Sequence, residues 1–228
     1  MSGVDQNGEL LSAGYQGVVY KVAAGAQYPD IEYLVVKQPM GSLPVRWFRR
    51  WMIRREYRVY LRLAGIAGIP ACLGIEAGDR LVLEFVDGRP LKFSDGELEN
   101  RERFFSALLE LLQAAHRAGV AHADLKRKEN ILVSSAGLPC LIDFGSAVTC
   151  NDGSGHLRRW IFRQACRVDL NAWIKHKYLG RYDRIISADA SYYRPTPIER
   201  IARPLRRAWR KVTARQWRKA RRRRRSHL

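Results

Sequence analysis

Residues 122–145, HADLKRKENILVSSAGLPCLIDFG, constrain this chain more than any other stretch. A polar loop leads into an apolar run from Ile131 to Val133. A turn signal at Ala136-Gly137 follows, and a second apolar run (Leu141, Ile142) ends on Asp143-Phe144-Gly145. Two short apolar runs about a glycine turn predict a hairpin. The hairpin sets Asp124 and Asp143 at the mouths of adjacent strands, with Lys126 and Asn130 between them in sequence. Two carboxylates, an amide and an ammonium so placed suit Mg²⁺ and a polyphosphate, with one carboxylate left to orient a hydroxyl.

Three upstream stretches bear on the same chemistry. Residues 10–22, LLSAGYQGVVYKV, carry Gly14 and Gly17 between two β-rich runs, which predicts a hairpin. Glycines at such a tip let backbone N–H groups approach phosphate oxygens with no Cβ in the way. Residues 33–37, YLVVK, predict a short strand ending on Lys37. Glu56 is the one acidic residue between Lys37 and Glu76, and it falls in a helical pattern where Met52, Glu56, Tyr60 and Leu63 share a face. A carboxylate on an apolar face needs a cation, for which Lys37 is the candidate. The alternative is a surface pair with Arg54 or Arg55. The same helix opens with Arg46, Arg49, Arg50, Arg54 and Arg55 interleaved with Trp47, Phe48 and Trp51. That is either a solvated face with aromatics packed inward or a basic-aromatic surface for lipid headgroups or nucleic acid.

Farther on, LVLEFVDGRPL predicts a buried strand running into an Asp-Gly turn. Residues 97–118 predict a helix through Phe104, Leu108, Leu111, Leu112 and Ala115, capped by Ser94 or Asp95 and ended by Gly119. Beyond Gly145 one further helical block is expected, residues 156–178.

The ordered set H-x-D-L-K…N-I-L and D-F-G, with a lysine strand and a glutamate helix upstream, resembles the protein-kinase-like superfamily. The resemblance implies an α+β, bilobal kinase-like fold with a β-rich N-lobe (1–86), a truncated, mainly helical C-lobe (87–193) and a basic tail (194–228). It implies an ATP- and Mg²⁺-dependent transfer to a hydroxyl. In that frame Asp143 and Asn130 hold the metal, Asp124 orients the acceptor, and Lys126 neutralises the γ-phosphoryl. Lys37 grips the α- and β-phosphates and Glu56 holds Lys37. Gly14 and Gly17 cover the phosphates, backbone groups of Glu84 and Val86 meet the adenine edge, and Val19, Val35 and Leu132 sandwich its faces. Asp169, on the last helical block, either braces the catalytic loop or pairs with Arg167 at the surface.

Three departures stand out. Asn130 follows Asp124 by six positions where the family has five, so an extra residue among 127–129 must bulge for Asn130 to face the metal. Ala123 replaces the arginine that reads a phosphorylated activation loop, and Ser12 stands where a first glycine would fall. No A-P-E triplet follows, and the peptide-docking part of the C-lobe has no room. The truncation resembles the Rio-type protein kinases and the bacterial kinases of lipopolysaccharide core sugars (Kdo or heptose), so the acceptor is such a sugar or a protein Ser/Thr. A catalytically weak ATP-binding module and a nucleic-acid-binding protein are the alternatives.

Charge is unevenly placed. The chain carries +19 overall, yet residues 194–228 hold fifteen Lys/Arg against Glu199, a net of +14, which leaves +5 for residues 1–193. The tail spaces Ile198, Ile201, Leu205, Trp209 and Val212 amphipathically, is broken by Pro204 and ends in five arginines before Ser-His-Leu. With Trp209 and Trp217 it suits peripheral contact with an anionic membrane, or nucleic acid. No apolar run nears the ~18 residues that span a bilayer. The N-terminus has no signal-like pattern and the four cysteines have no metal spacing, so a cytoplasmic protein, peripheral at the inner-membrane face, is expected.

Overall fold

The computed structural model describes residues 8–14, 17–29 and 31–194. Alternating apolar residues punctuated by glycines build the first lobe. Strands β1 (Glu9–Gly14), β2 (Gly17–Ala23), β3 (Tyr33–Gln38), β4 (Cys72–Glu76) and β5 (Arg80–Glu84) pair antiparallel in the order β1-β2-β3-β5-β4. Gly14 pairs with Gly17, closing the predicted hairpin. Gly17 has φ 140°, and a Cβ there would lie 2.2 Å from the Gln38 carbonyl oxygen, so the position admits glycine alone.

Period-two alternation gives the sheet two different faces. Val22, Leu34, Val36 and Val82 form a small cluster on one side. Val19 is paired across from Lys37, and Val35 lies two residues before it, so these three share the other face with Leu81 and Leu83. Helix α1 (Leu43–Arg62) opens with proline in its first turn, where a missing N–H costs nothing. It buries Ile53, Glu56, Val59 and Tyr60, with Leu63 just past its end. Ile53 thus takes the core position expected of Met52, which is half-exposed. The three aromatics of the helix's N-terminal half do not pack inward: Trp47 is 72% exposed, Phe48 42% and Trp51 50%.

The second lobe begins with β6 (Gly88–Pro90) and α2 (Leu91–Ser94), followed by α3 (Arg101–Arg117), β7 (Val120–Ala121), β8 (Ile131–Ser134) and β9 (Pro139–Leu141). It ends with β10 (Val148–Thr149), α4 (His156–Lys177) and α5 (Ser187–Ala190). Strands β6-β8-β9 form one small sheet, and β7 pairs with β10. Helix α3 starts later than its apolar spacing suggests, because Asn100 and not Ser94 or Asp95 caps it: Asn100 Oδ1 accepts from the Arg103 N–H at 2.9 Å. Asp95 instead binds Arg101 at 2.6 Å and also Lys128.

A single apolar core runs through both lobes. Ile53, Tyr60, Leu63 and Leu81 join Phe104, Leu108, Leu112, Leu141, Phe144 and Trp173 in one contact cluster. Each large side chain removed from water there is worth ~1.5–3 kcal/mol, so the lobes are held by the same apolar contacts that fold each of them. Trp173 satisfies its one polar atom by donating to the Phe105 carbonyl at 2.7 Å. Asn171 on α4 exchanges hydrogen bonds of 2.9 and 3.1 Å with the backbone of Arg194 and ties down the last described residue. The tail expected to be amphipathic lies outside the described residues. All four cysteines are free, and burial pushes the Cys140 and Cys166 thiols up to about 12, which leaves them unreactive.

Candidate active site

Lys37 sits where β3 ends, on the face turned toward α1. Its Nζ lies 2.7 Å from Glu56 Oε2 and 2.9 Å from Asp143 Oδ1. Three residues separated by 19 and 106 positions therefore meet at one ammonium. Lys37 and Glu56 are 7% and 2% exposed, so neither charge is tolerable without the other. Burial opposes the ammonium, but Glu56 and then Asp143 more than compensate and raise its pKa. Burial likewise acts to raise Asp143, yet Lys37 outweighs it and holds the carboxyl below the usual aspartate range. For Glu56, burial prevails over the pull of Lys37 and leaves the carboxyl raised.

The surface pairing of Glu56 with Arg54 or Arg55 does not form. Arg54 reaches the Gly78 carbonyl at 3.4 Å. Arg55 crosses to the segment after Asp143, donating to the Gly145 carbonyl at 2.8 Å and to that of Ala147.

The β8–β9 hairpin brings Asn130 and Asp143 together. Ile131 is paired with Leu141, and the Ile142 N–H donates to the Asn130 carbonyl at 3.1 Å. Asp143 then turns left-handed (φ 62°, ψ 71°), a conformation aspartate tolerates better than most residues. The extra residue after Asp124 is absorbed in two i→i+3 turns, Arg127 N–H to the Asp124 carbonyl (3.4 Å) and Asn130 N–H to the Arg127 carbonyl (3.2 Å). The second ends a 3₁₀ turn over Lys128–Asn130. Ion pairs pin this turn to α2 and its end, Lys128 with Asp95 and Lys92 with Glu129 at 2.9 Å. Asn130, buried, accordingly faces inward. Its Nδ2 donates to the Asp124 carbonyl at 3.0 Å and lies 3.4 Å from Asp124 Oδ2.

Asp169 settles between its two expected roles as a brace. It is fully buried, and its oxygens accept from the His122 N–H at 2.7 Å and the Ala123 N–H at 2.8 Å, with His116 Nε2 at 3.1 Å. Ala123 is held with φ 65°, left-handed backbone that an alanine does not choose. The His122 ring packs on Phe144 at 4.7 Å, and Phe144 meets Tyr60 edge-on at 5.2 Å. An aromatic column thus runs from α1 through the Asp143-Phe144-Gly145 loop to the loop carrying Asp124.

The remaining predicted residues are spread around this centre. Val19 and Val35 lie on the Lys37 face of the sheet, and Leu132 lies on β8 opposite Cys140. Glu84 ends β5, its carboxylate accepting from the Ala71 N–H at 3.0 Å. Residues 85–87 join the lobes, and among the described residues the Val86 N–H makes no backbone hydrogen bond. Lys126 is exposed beside Asp124. A cavity of about 500 Å³, lined by residues such as Asp87, Arg89, Asn100 and Arg103, contains none of the residues at the Lys37 centre.

A family model for the RIO domain matches residues 39–166, more than half the chain, including Glu56, Asp124, Asn130 and Asp143. The chain belongs to the RIO-domain family. It is also similar to more distant serine/threonine kinases. One is the "Probable serine/threonine-protein kinase PknB" of Lactococcus lactis, 36% identical over 94 residues, 39% of this chain and 15% of that one. Another is the CBL-interacting serine/threonine-protein kinase 21 of Arabidopsis thaliana, 27% identical over 144 residues, 60% of this chain and 34% of that one. The RIO-domain chain thus spans at most about a third of the length of these two relatives. Its fold is kinase-like, with two lobes about the Lys37 centre.

Two features of this RIO-domain chain escape sequence reasoning. The bonds of Arg55 to Gly145 and Ala147 carry no spacing signal, because any of five arginines could have made them. The Tyr60–Phe144–His122 column was half legible: Phe144 belongs to D-F-G and Tyr60 to the buried face of α1, but their meeting depends on how α1 docks.

Proposed function

We propose that this chain transfers the γ-phosphoryl group of ATP to a hydroxyl. The observation that carries the proposal is the Lys37 ammonium held between Glu56 and Asp143, at 2.7 and 2.9 Å. Phosphoryl transfer asks a protein chiefly for positioning and charge neutralisation. Lys37 holds the α- and β-phosphates, Glu56 fixes Lys37, and Lys126 neutralises the γ-phosphoryl. Asp124 orients the acceptor hydroxyl and takes its proton; losing such a base costs ~10²–10⁴-fold in rate. The 85–87 linker takes the adenine edge through the backbone of Val86 with that of Glu84. Val19, Val35 and Leu132 close on the ring, and Gly14 and Gly17 cover the phosphates. In this reading the lobes divide at residue 86 and the basic tail begins at 194.

The residues present fit Mg²⁺. Asp143 offers an ionised carboxylate with a 36% exposed side chain, and Asn130 has its amide nitrogen engaged by Asp124, which leaves the amide oxygen as its ligand atom. Two hard oxygens suit a cation that takes its remaining ligands from phosphate and water. Bound there, the ion would supply charge neutralisation across the phosphates.

The acceptor we favour is a sugar of a lipopolysaccharide core, over a protein Ser/Thr. Ten residues separate Gly145 from the start of α4 at His156, too few for a long activation segment with a peptide-docking platform. The basic tail would bring the enzyme to the inner-membrane face from the cytoplasm. The test is γ-labelled ATP with Mg²⁺ against isolated core oligosaccharide and total protein, with Asp143→Ala as control. Label in the oligosaccharide, lost in the control, is the expected result. Label in protein alone overturns the sugar acceptor. No label in either, or label that persists in the control, overturns the kinase reading.

A further inference from the structure

The first three turns of α1 present an apolar stripe that the Lys37 site does not use. Leu43, Trp47 and Trp51 follow one another at four-residue spacing and are 85%, 72% and 50% exposed. Phe48 stacks on Trp51 at 5.8 Å, and Met40 and Val45, 47% and 43% exposed, widen the patch. Leaving so much aromatic and aliphatic surface in water on one helix end is unfavourable unless something covers it.

The charges around the stripe say what that something is. Helix α1 carries seven arginines and one glutamate, a net of +6, and the glutamate is buried against Lys37. Asp79 is shared by Arg46 and Arg50 at 3.2 and 3.1 Å and offsets one charge, while Arg54 and Arg58 remain exposed. The tail of this chain, with a net of +14, would be repelled. A second copy docking face to face would set the two arginine sets against each other. The complementary partner is anionic. Nucleic acid would use the aromatic rings but has no use for Leu43, Val45 and Met40, because its bases take stacking platforms. A bilayer interface takes both: tryptophan rings at headgroup depth, aliphatic side chains just beneath, and arginines on lipid phosphate.

We propose that the N-terminal half of α1 docks on an anionic lipid surface, with Leu43, Trp47 and Trp51 inserted and the flanking arginines on headgroups. The helix lies on the membrane and does not cross it, since no helix among the described residues is long and apolar enough to span. Trp47 precedes Glu56 by nine residues, so the docked end sits about 14 Å along the helix from the residue that holds Lys37. This site stands on the exposed face alone and does not depend on phosphoryl transfer.

The test is partition of the full chain onto vesicles of phosphatidylglycerol and phosphatidylethanolamine, with phosphatidylcholine vesicles as the neutral comparison. Binding is expected on the anionic vesicles only, and Leu43→Ser/Trp47→Ser/Trp51→Ser is expected to weaken it about tenfold or more. Because the three residues are exposed, the variant's melting temperature should match the parent's. A gentler variant, Trp47→Phe/Trp51→Phe, should keep binding yet show less fluorescence quenching by brominated lipid than the parent, whereas unchanged quenching would overturn the proposal. Unchanged binding of the triple variant would place the contact in the tail and overturn the proposal. So would an equal loss from Leu157→Ser/Trp160→Ser on α4. Loss of RNA binding or of self-association in place of vesicle binding overturns it as well.

Discussion

Replacing Asp169 tests whether a buried carboxylate on α4 sets the backbone of the loop that carries Asp124. Its two oxygens serve the His122 and Ala123 N–H groups at 2.7 and 2.8 Å and His116 at 3.1 Å. Asp169→Ala removes the acceptor of the His122 and Ala123 N–H groups and the partner of the His116 ring, and each buried donor left without a partner costs ~1–3 kcal/mol. Relaxation of Ala123 out of its left-handed conformation, strained by ~1–2 kcal/mol, returns part of that. The net expectation is a loss of about 3–5 kcal/mol, which in a chain of this length lowers the melting temperature by about 6–20 °C. Asp169→Asn keeps one acceptor oxygen and turns an NH₂ toward a donor, so it should lose less, about 1–3 kcal/mol. Ala123→Gly should stabilise the parent by ~0.5–1 kcal/mol, because glycine adopts φ 65° without strain. Thermal and urea unfolding give the energies, and hydrogen exchange at amides 122–124 reports the local effect. If Asp169→Ala melts within ~3 °C of the parent with unchanged exchange at those amides, the bracing argument is wrong.

Three further outcomes follow from the same geometry. Lys37→Met leaves Glu56 buried with no cation, so unfolding should show a loss of ~3–5 kcal/mol, and Lys37→Met/Glu56→Gln should recover much of it. His176 is buried, donates to the Leu125 carbonyl at 2.7 Å, and has its pKa lowered by burial from 6.5 to about 4. The unfolded chain therefore takes up the proton first as pH falls, so stability is full above about 6.5 and declines toward pH 4; 2.5 units at 1.36 kcal/mol each give about 3 kcal/mol. A His176→Gln variant should flatten that slope in urea titrations, and an unchanged slope would assign it to other groups. Arg55→Lys cannot serve the Gly145 and Ala147 carbonyls together, so nucleotide affinity by calorimetry should fall several-fold while the melting temperature moves little; equal affinity would make the Arg55 bonds incidental.

The primary structure determined which groups meet, because they are the scarce ones. A lone glutamate between Lys37 and Glu76, a glycine pair about a two-residue gap and a D-F-G after an apolar run leave few alternatives, and the β8–β9 hairpin puts Asn130 and Asp143 at its two open ends, while Asp124 lies in the loop after β7 and not at the mouth of a neighbouring strand. Abundant residues were beyond it. Among five arginines in ten positions nothing in the sequence picks out Arg55 as the one that crosses to Gly145. Nothing tells Asp169 as brace from Asp169 as surface ion, or turns Trp47 and Trp51 outward when their spacing fits either face. Those outcomes depend on how α1 and α4 dock. Docking is set by summed apolar burial across both lobes, a property of the folded core as a whole and not of any local run of residues.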